Sequence, residues 1–244
     1  IDPIVINSLF SFFKTFSFWS MVIYTGFILD LSLFYSEIEA YLGNGILSNY
    51  MGKYHKPKQE IRIFMFLDMK SSTSIAEKIG HKKYFDLLKT YYSDMTEAII
   101  ETNGEVYQYV GDEIVITWKL DKGIQKNYCI ECFFDMKKEL HKCEHIYFRK
   151  FGVNLDFKAA IHFGNVTTGE IGALKKNIFF TGDVLNTTAR ILGKTSSYNE
   201  DLLISDALFQ KLNLSNKFNY KKIGAPSFKG KAELVEIVSI NKVG

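Results

Sequence analysis

The sequence predicts an α+β fold, a largely antiparallel sheet with helices packed on it, and three observations predict it. Short apolar runs bounded by turn residues are interspersed with longer stretches whose apolar residues recur every three or four positions. Two of the runs, EVYQYV and EIVITW, are separated only by Gly111-Asp112, a tight-turn signal that makes them a hairpin. Strands mixed with helices, several of the strands in hairpins, suggest a sheet covered by helices.

In order along the chain, Ile61–Leu67 (IRIFMFL) reads as a buried strand that ends at Asp68. Ser71–Thr73 offer caps for a helix over SIAEKIG, which Gly80 terminates. His81–Glu101 reads as a longer helix with Tyr84, Leu87, Leu88, Tyr91, Met95 and Ile99 on its apolar face. Gly104 opens the hairpin, and a helix comes next over about 123–142. Phe157–Phe163 and Val166–Ile171 read as a strand pair broken at Gly164, then a short strand, Ile178–Thr181, and a helix, Val184–Leu192. The tail alternates short strands (LLIS, FNYKKI, LVEIVSI) with a small helix at Ala207–Leu212.

Composition narrows the function. A chain of 244 residues buries a sizeable core without staples, and 23% charged residues exclude disorder from end to end. Thirty Lys and Arg against 27 Asp and Glu are too nearly balanced for a dedicated nucleic-acid binder. The three cysteines are an odd number without framework spacing, so a disulfide-built domain is not expected. Cys129 and Cys132 form a CxxC pair and His145 lies just after Cys143, which reads either as a zinc site or as small apolar positions of an amphipathic helix.

The first 34 residues differ from the rest. Only Asp2, Lys14 and Asp30 are charged there, and Thr15–Leu29 is uncharged throughout. A membrane span takes about 20 apolar residues, so this stretch crosses only if Lys14 snorkels and Asp30 sits at an interface. The alternative is an amphipathic core or dimerisation helix. The organisation expected is an apolar helix over 1–34, an amphipathic linker over 35–59 and a catalytic-sized domain over 60–244. Lys53, His55, Lys56 and Lys58 just after the apolar region suggest that the remainder of the chain is cytoplasmic, though a solvated linker carries such charges equally well. The chain begins at Ile1 rather than Met, as expected of a fragment or processed chain.

Three places carry the residue types that chemistry needs. Asp68 ends a buried strand and Asp112 occupies the hairpin turn; strands about 4.8 Å apart bring such carboxylates to one point, where hard divalent cations bind. The backbone N–H groups of Met69, Lys70, Ser71, Ser72 and Thr73, entering a helix N-terminus, suit a phosphate. In GDVLNTTARI, Asn186 and Arg190 are four apart on one helix face, an amide beside a guanidinium fork that stabilises phosphoryl oxygen charge. In SFKGKAE, Lys229 and Lys231 flank Gly230 within reach of a polyphosphate. Each motif alone is equally compatible with an ordinary capped helix, turn or solvated lysine.

Taken in order, FMFLDMKSSTSIAE, GEVYQYVGDEIVITW, KAAIHFGNVTTGEIG, TGDVLNTTARI and FKGKAELVEI resemble the catalytic domain of class III nucleotidyl cyclases over about residues 60–240. The resemblance implies a ferredoxin-like core with added strands, working as a homodimer with active sites at the subunit interface. It implies that Asp68 and Asp112, with the Met69 carbonyl, bind two Mg²⁺ or Mn²⁺ ions per active site. By the same resemblance Asn186 positions the ribose, Arg190 stabilises the reacting α-phosphate and Lys229, with Lys231 as a possible substitute, holds the terminal phosphates. The aspartates would come from one subunit and the Asn, Arg and Lys from its partner. The implied reaction converts a nucleoside triphosphate, with ATP favoured by family breadth, to the 3′,5′-cyclic nucleotide and pyrophosphate for intracellular signalling. The base-reading positions depart from the family: Gln108 stands where adenylyl cyclases commonly carry Lys, and Phe179 where they carry Asp or Thr. A guanylate cyclase, a diguanylate cyclase built on the Gly111-Asp112-Glu113 hairpin and an inactive membrane-anchored dimerisation module are the competing readings.

Overall fold

The computed structural model describes residues 3, 4, 11–42, 56–172, 177–214, 216–226 and 234–243. The chain divides into two compact units, Ile1–Lys56 and Pro57–Gly244.

In the first unit, helix α1 (Phe16–Leu42) starts where Thr15 caps it: the Thr15 hydroxyl oxygen accepts from the Phe18 N–H at 3.3 Å. Phe12 and Phe13 pack on the Phe18 ring at 5.5 and 4.8 Å, fixing the entry of the chain into the helix. Its stretch Phe16–Glu37, 22 residues of mean hydropathy 1.4, is long and apolar enough to cross a membrane. The apolar residues lie on all sides rather than along one stripe, which departs from the amphipathic alternative. The hydroxyls of Ser20 and Thr25 bond back to the carbonyls of Ser17 and Met21, so neither needs water.

The second unit is built on eight strands: β1 (Lys58–Met69), β2 (Glu105–Val110), β3 (Glu113–Lys119), β4 (Phe157–Ile171), β5 (Asn177–Thr181), β6 (Leu202–Ser205), β7 (Phe218–Gly224) and β8 (Ile237–Lys242). Their order is β2-β3-β1-β4-β6-β8-β7, with β5 also on β4, and every pairing is antiparallel except β4 with β6. Between β1 and β2 lie α2 (Ser72–Ile79) and α3 (His81–Glu101); between β3 and β4 lie α4 (Leu120–Ile124), α5 (Tyr128–Lys142) and α6 (Glu144–Phe151). The first four strands with these helices form the β-α-β-β-α-β core of the ferredoxin-like arrangement. Helix α7 (Asp183–Leu192) comes after β5, α8 (Thr195–Tyr198) precedes β6, and α9 (Asp206–Phe209) succeeds it.

Strand β1 is apolar without alternation because both of its faces are covered. Ile63, Met65, Leu67 and Met69 point into a core with Tyr91 and Met95 of α3 and Phe133 and Met136 of α5. Phe64 and Phe66 point into a second core with Val184 and Ile191 of α7. Cys129 and Cys132 are fully buried in the first core on α5, and burial pushes the Cys132 thiol up to about 12, so both act as small apolar residues.

The structure departs from the sequence reading in several elements, among them the unexpected short helix α8 and the last helix, which is confined to Asp206–Phe209. Strand β4 runs unbroken through Gly164, which pairs with Arg62 of β1; a Cβ there would lie 3.3 Å from Val184, so the glycine admits α7 rather than breaking the strand. The helix expected from 123 is interrupted before Tyr128, because Lys126 and Asn127 take left-handed φ of 51° and 57°. Asn127 holds that bend through its amide, which donates to the Asn213 carbonyl at 2.8 Å and accepts from the Asn213 N–H at 3.2 Å. Helix α6 has no counterpart among the expected elements, since only Tyr147 and Phe151 of its eight residues are buried.

Candidate active site

The end of β1 and the β2–β3 turn meet because the two strands flanking that point are in antiparallel register. Leu67 pairs with Ile114, so Asp68 falls beside Glu113 and the turn residue before it, Asp112. Gly111 makes the turn possible with φ of 63°, in the left-handed region. The carboxyl groups of Asp68 and Asp112 come into contact, and burial, then the Asp112 charge, raises the Asp68 carboxyl above its ordinary range. Lys158, paired with Asp68 across β4, opposes this with its ammonium 3.5 Å from Asp68 Oδ2. Burial, Asp68 and Asp112 raise Glu113 in the same direction. Asp112 Oδ2 is buried and has no hydrogen-bond partner.

Two carboxylates pressed together, one with an unpaired buried oxygen, form an arrangement that a hard cation relieves. Among the described residues no group of three or more His, Cys, Asp or Glu side chains forms a closed metal cage. Two carboxylates suit Mg²⁺, which keeps several positions for water and phosphate oxygens. The residues present therefore fit divalent cations that are shared with a polyphosphate.

The turn is held from α3 by Tyr92. The Tyr92 hydroxyl donates to the Gly111 carbonyl, and its ring lies 4.4 Å from that of Tyr109. Burial, then the Asp112 charge, pushes the Tyr92 hydroxyl up to about 12. Tyr84 bonds to Ser72, whose neighbours Ser71 and Thr73 are exposed at the start of α2. Met69 is buried in the first core. Lys70 has its backbone N–H on the Asp156 carbonyl and its ammonium between Asp156 (2.7 Å) and Asp201. Lys137 faces the same two carboxylates, completing a ring of two cations and two anions.

On α7, Val184, Thr187, Thr188 and Ile191 are buried against the sheet, which leaves Asn186 exposed and Arg190 partly so. Neither side chain is bonded to another described residue, and Arg190 is not among the charges acting on Asp68 or Glu113. One chain brings the carboxyl groups of Asp68 and Asp112 into contact without a charge from Arg190 acting on Asp68 or Glu113. Gln108 is exposed on β2, and Phe179 is 47% exposed on β5. Between them their neighbours meet: a bulge turns Tyr107 so that its ring packs on Phe180 at 4.9 Å and its hydroxyl bonds the Phe180 backbone. Lys229 and Lys231 lie outside the described residues.

Sequence reasoning missed Tyr92, the Lys70–Lys137 ring and Arg62. Arg62, 1% exposed, donates to Glu105 Oε2 from both terminal nitrogens (2.9 and 2.8 Å), to Glu60 at 3.0 Å, and lies 4.8 Å over the Phe180 ring. The available signal was a cation inside an apolar strand, which must find carboxylates when buried.

The family model described as the adenylate and guanylate cyclase catalytic domain matches residues 53–240. The chain is 32% identical over 209 residues to adenylate cyclase 2 of Rhizobium meliloti (strain 1021), covering 85% of this chain and 58% of that protein. It thus spans little more than half the length of that relative. Its fold is similar to that of a bacterial light-regulated adenylyl cyclase (TM-score 0.73, 21% identity, 88% of this chain and 63% of that one). It is similar as well to the guanylyl cyclase Cya2 (TM-score 0.65, 20% identity, 77% of this chain and 94% of that one).

The ion ring yields a test of Lys70. Replacing it with Met leaves Asp156 and Asp201 facing Lys137 alone. Because all four side chains are partly solvated, the expected loss is about 1 kcal/mol, a fall in Tm of about 2–4 °C, with the nucleotide KM unchanged. An unchanged Tm with a several-fold higher KM would instead put Lys70 on the substrate.

Proposed function

Because the chain belongs to the adenylate and guanylate cyclase catalytic domain family, we propose that it cyclises ATP to 3′,5′-cyclic AMP and pyrophosphate at sites shared between two copies. The observation that carries this reading is the Asp68–Asp112 pair, two carboxyl groups in contact with a buried, unpartnered Asp112 Oδ2 that a cation would satisfy.

Asp68 and Asp112, with the Met69 carbonyl, would hold two Mg²⁺ or Mn²⁺ ions. Bound there, divalent cations lower the pKa of the ribose 3′-hydroxyl and neutralise charge on the pyrophosphate. The protein's own part is positioning and charge stabilisation, so no covalent nucleophile is needed. Asn186 orients the ribose through its amide. Arg190 donates a bidentate pair of hydrogen bonds to the α-phosphate oxygens and so stabilises the charge that develops there. The N–H groups of Ser71, Ser72 and Thr73 at the start of α2 face the phosphates, and Lys229 or Lys231 holds the terminal ones. Gln108 both donates and accepts, so it can read the adenine edge, while Phe179 stacks on or walls off the ring. Asn186 is exposed and Arg190 partly so on α7, neither bonded to another described residue, which leaves them available to act on the partner's carboxylates in a two-fold homodimer.

The apolar helix Phe16–Leu42 anchors this unit to a membrane, with the basic run Lys53, His55, Lys56 and Lys58 keeping the catalytic part on the cytoplasmic side. After cell breakage the protein is expected in the membrane pellet and to resist an alkaline carbonate wash; release by that wash would remove the spanning reading.

Activity is tested by a nucleotide panel. Purified protein with Mn²⁺ and ATP, GTP, CTP or UTP, its products identified by mass, is expected to give cyclic AMP and pyrophosphate from ATP. Asp68→Asn is expected to lower the rate by about 100-fold or more. Cyclic GMP alone would reverse the substrate assignment, and no product from any nucleotide in a metal-binding dimer would end the enzyme reading.

A further inference from the structure

Strand β2 places two successive residues on one side of the sheet, which an unbroken strand cannot do. Glu105 pairs with Thr117 and Val106 with Ile116, but the next paired residue is Gln108, opposite Val115. Tyr107 is therefore the extra residue of a β-bulge. Val115 lies across from Phe66 and both belong to the second core, so Gln108 stands on the α7 side of the sheet. Tyr109, opposite Ile114, returns to the other side, where its ring stacks on Tyr92 of α3. With strict alternation Gln108 would fall opposite Ile114 and face α3 instead. Asp68, two residues beyond Phe66 on β1, emerges on the α7 side as well. The bulge thus decides whether Gln108 shares a face with the carboxylate pair.

The second core holds the extra residue in place. The Tyr107 ring packs edge-on against Phe180 at 4.9 Å, and Phe180 is flanked in turn by Phe64 at 5.5 Å and by the Arg62 guanidinium 4.8 Å over its ring. Arg62 also donates to Glu105 of β2 at 2.9 and 2.8 Å. Among the described residues β2 and β5 do not pair, one lying on β3 and the other on β4. The Tyr107–Phe180 contact joins them, and each partner is next in sequence to one of the two base-reading positions, Gln108 and Phe179.

We propose that Tyr107 is a positioning residue for base recognition: its ring, seated on Phe180, keeps the β2 bulge in place and so presents Gln108 on the side of the sheet where Asp68 lies. A bulge beside a site commonly re-aims a side chain in this way. The inference rests on the reading of Gln108 as a base-reading residue of the proposed cyclase, and the test separates the two.

The full-length protein and its Gln108→Ala, Tyr107→Leu and doubly substituted variants are assayed with ATP and GTP at saturating Mn²⁺. Discrimination is read as kcat/KM for ATP over that for GTP or, where GTP is not turned over, as the GTP inhibition constant over the ATP KM. Gln108→Ala is expected to lower it by about 2- to 10-fold, the worth of one hydrogen bond to a base edge. Tyr107→Leu is expected to lower it to a similar extent. The double variant should match Gln108→Ala alone, because Tyr107 acts through Gln108. Phe180→Leu, which removes the seat and leaves β2 untouched, should reproduce the Tyr107→Leu shift and serves in its place if Tyr107→Leu does not fold. Equal losses on both nucleotides in Tyr107→Leu and Phe180→Leu, with discrimination changed only in Gln108→Ala, would overturn the inference and spare the base reading. A double variant shifted by the product of the two single effects would also overturn it, since Tyr107 would then act independently of Gln108. Unchanged discrimination in Gln108→Ala would remove the base reading of Gln108, and the inference with it.

Discussion

The register of β1 against β3 and β4 is the constraint on which everything else depends. With Leu67 opposite Ile114 and Ala159, the odd residues of β1 enter one core and the even residues the other. Asp68, the next even residue, therefore emerges on the α7 side of the sheet beside the turn that carries Asp112. A slip of one residue would invert every side chain of β1 and carry Asp68 to the opposite face. Burying each large apolar side chain contributes about 1.5–3 kcal/mol, and β1 alone buries Ile63, Phe64, Met65, Phe66, Leu67 and Met69. That is ample to hold two carboxylates together at a point where, without a cation, they repel.

Polar devices then fix what the cores leave adjustable. Arg62 crosses the edge of the second core and ties Glu60 on its own strand to Glu105 on β2 while its plane covers Phe180 on β5. The ring of Lys70, Lys137, Asp156 and Asp201 joins the residue after β1 to α5 and to the starts of β4 and β6. Gly164 lets Val184 approach β4, which sets the depth of α7 on the sheet and leaves Asn186 and Arg190 on its outer side. The sheet thus gathers the carboxyl groups of Asp68 and Asp112 at the end of β1 and leaves an amide and a guanidinium uncovered on α7.

Local pattern made part of this architecture legible in the sequence. The Gly111-Asp112 turn, the α3 periodicity and the Asp68 strand end are all readable, because turn chemistry and apolar period are encoded by near neighbours. Gly164 reads as a break in the sequence because its role is defined by Val184, twenty residues away and on another element. The bend at Lys126–Asn127 depends on a bond to Asn213, and α6 on burial of only two side chains; neither leaves a local trace. Lys70 illustrates the same limit: its neighbours in sequence suggest a phosphate ligand, and its bonds to Asp156 and Asp201 come from distant segments that no local pattern announces. Base choice is least legible, since Gln108 and Phe179 are both exposed and their neighbours Tyr107 and Phe180 make the visible contact.

On the proposed mechanism, a complete site takes its carboxylates from one copy and its Asn186 and Arg190 from another. The direct measurement mixes Asp68→Ala and Arg190→Ala proteins, each inactive alone, and assays cyclic nucleotide formation in dimers verified to contain both. In a two-fold dimer each mixed pair rebuilds one intact site and leaves one doubly broken, so mixed dimers should show about half the wild-type rate and an unseparated random mixture about a quarter. A verified mixed dimer as inactive as either parent would contradict the shared site.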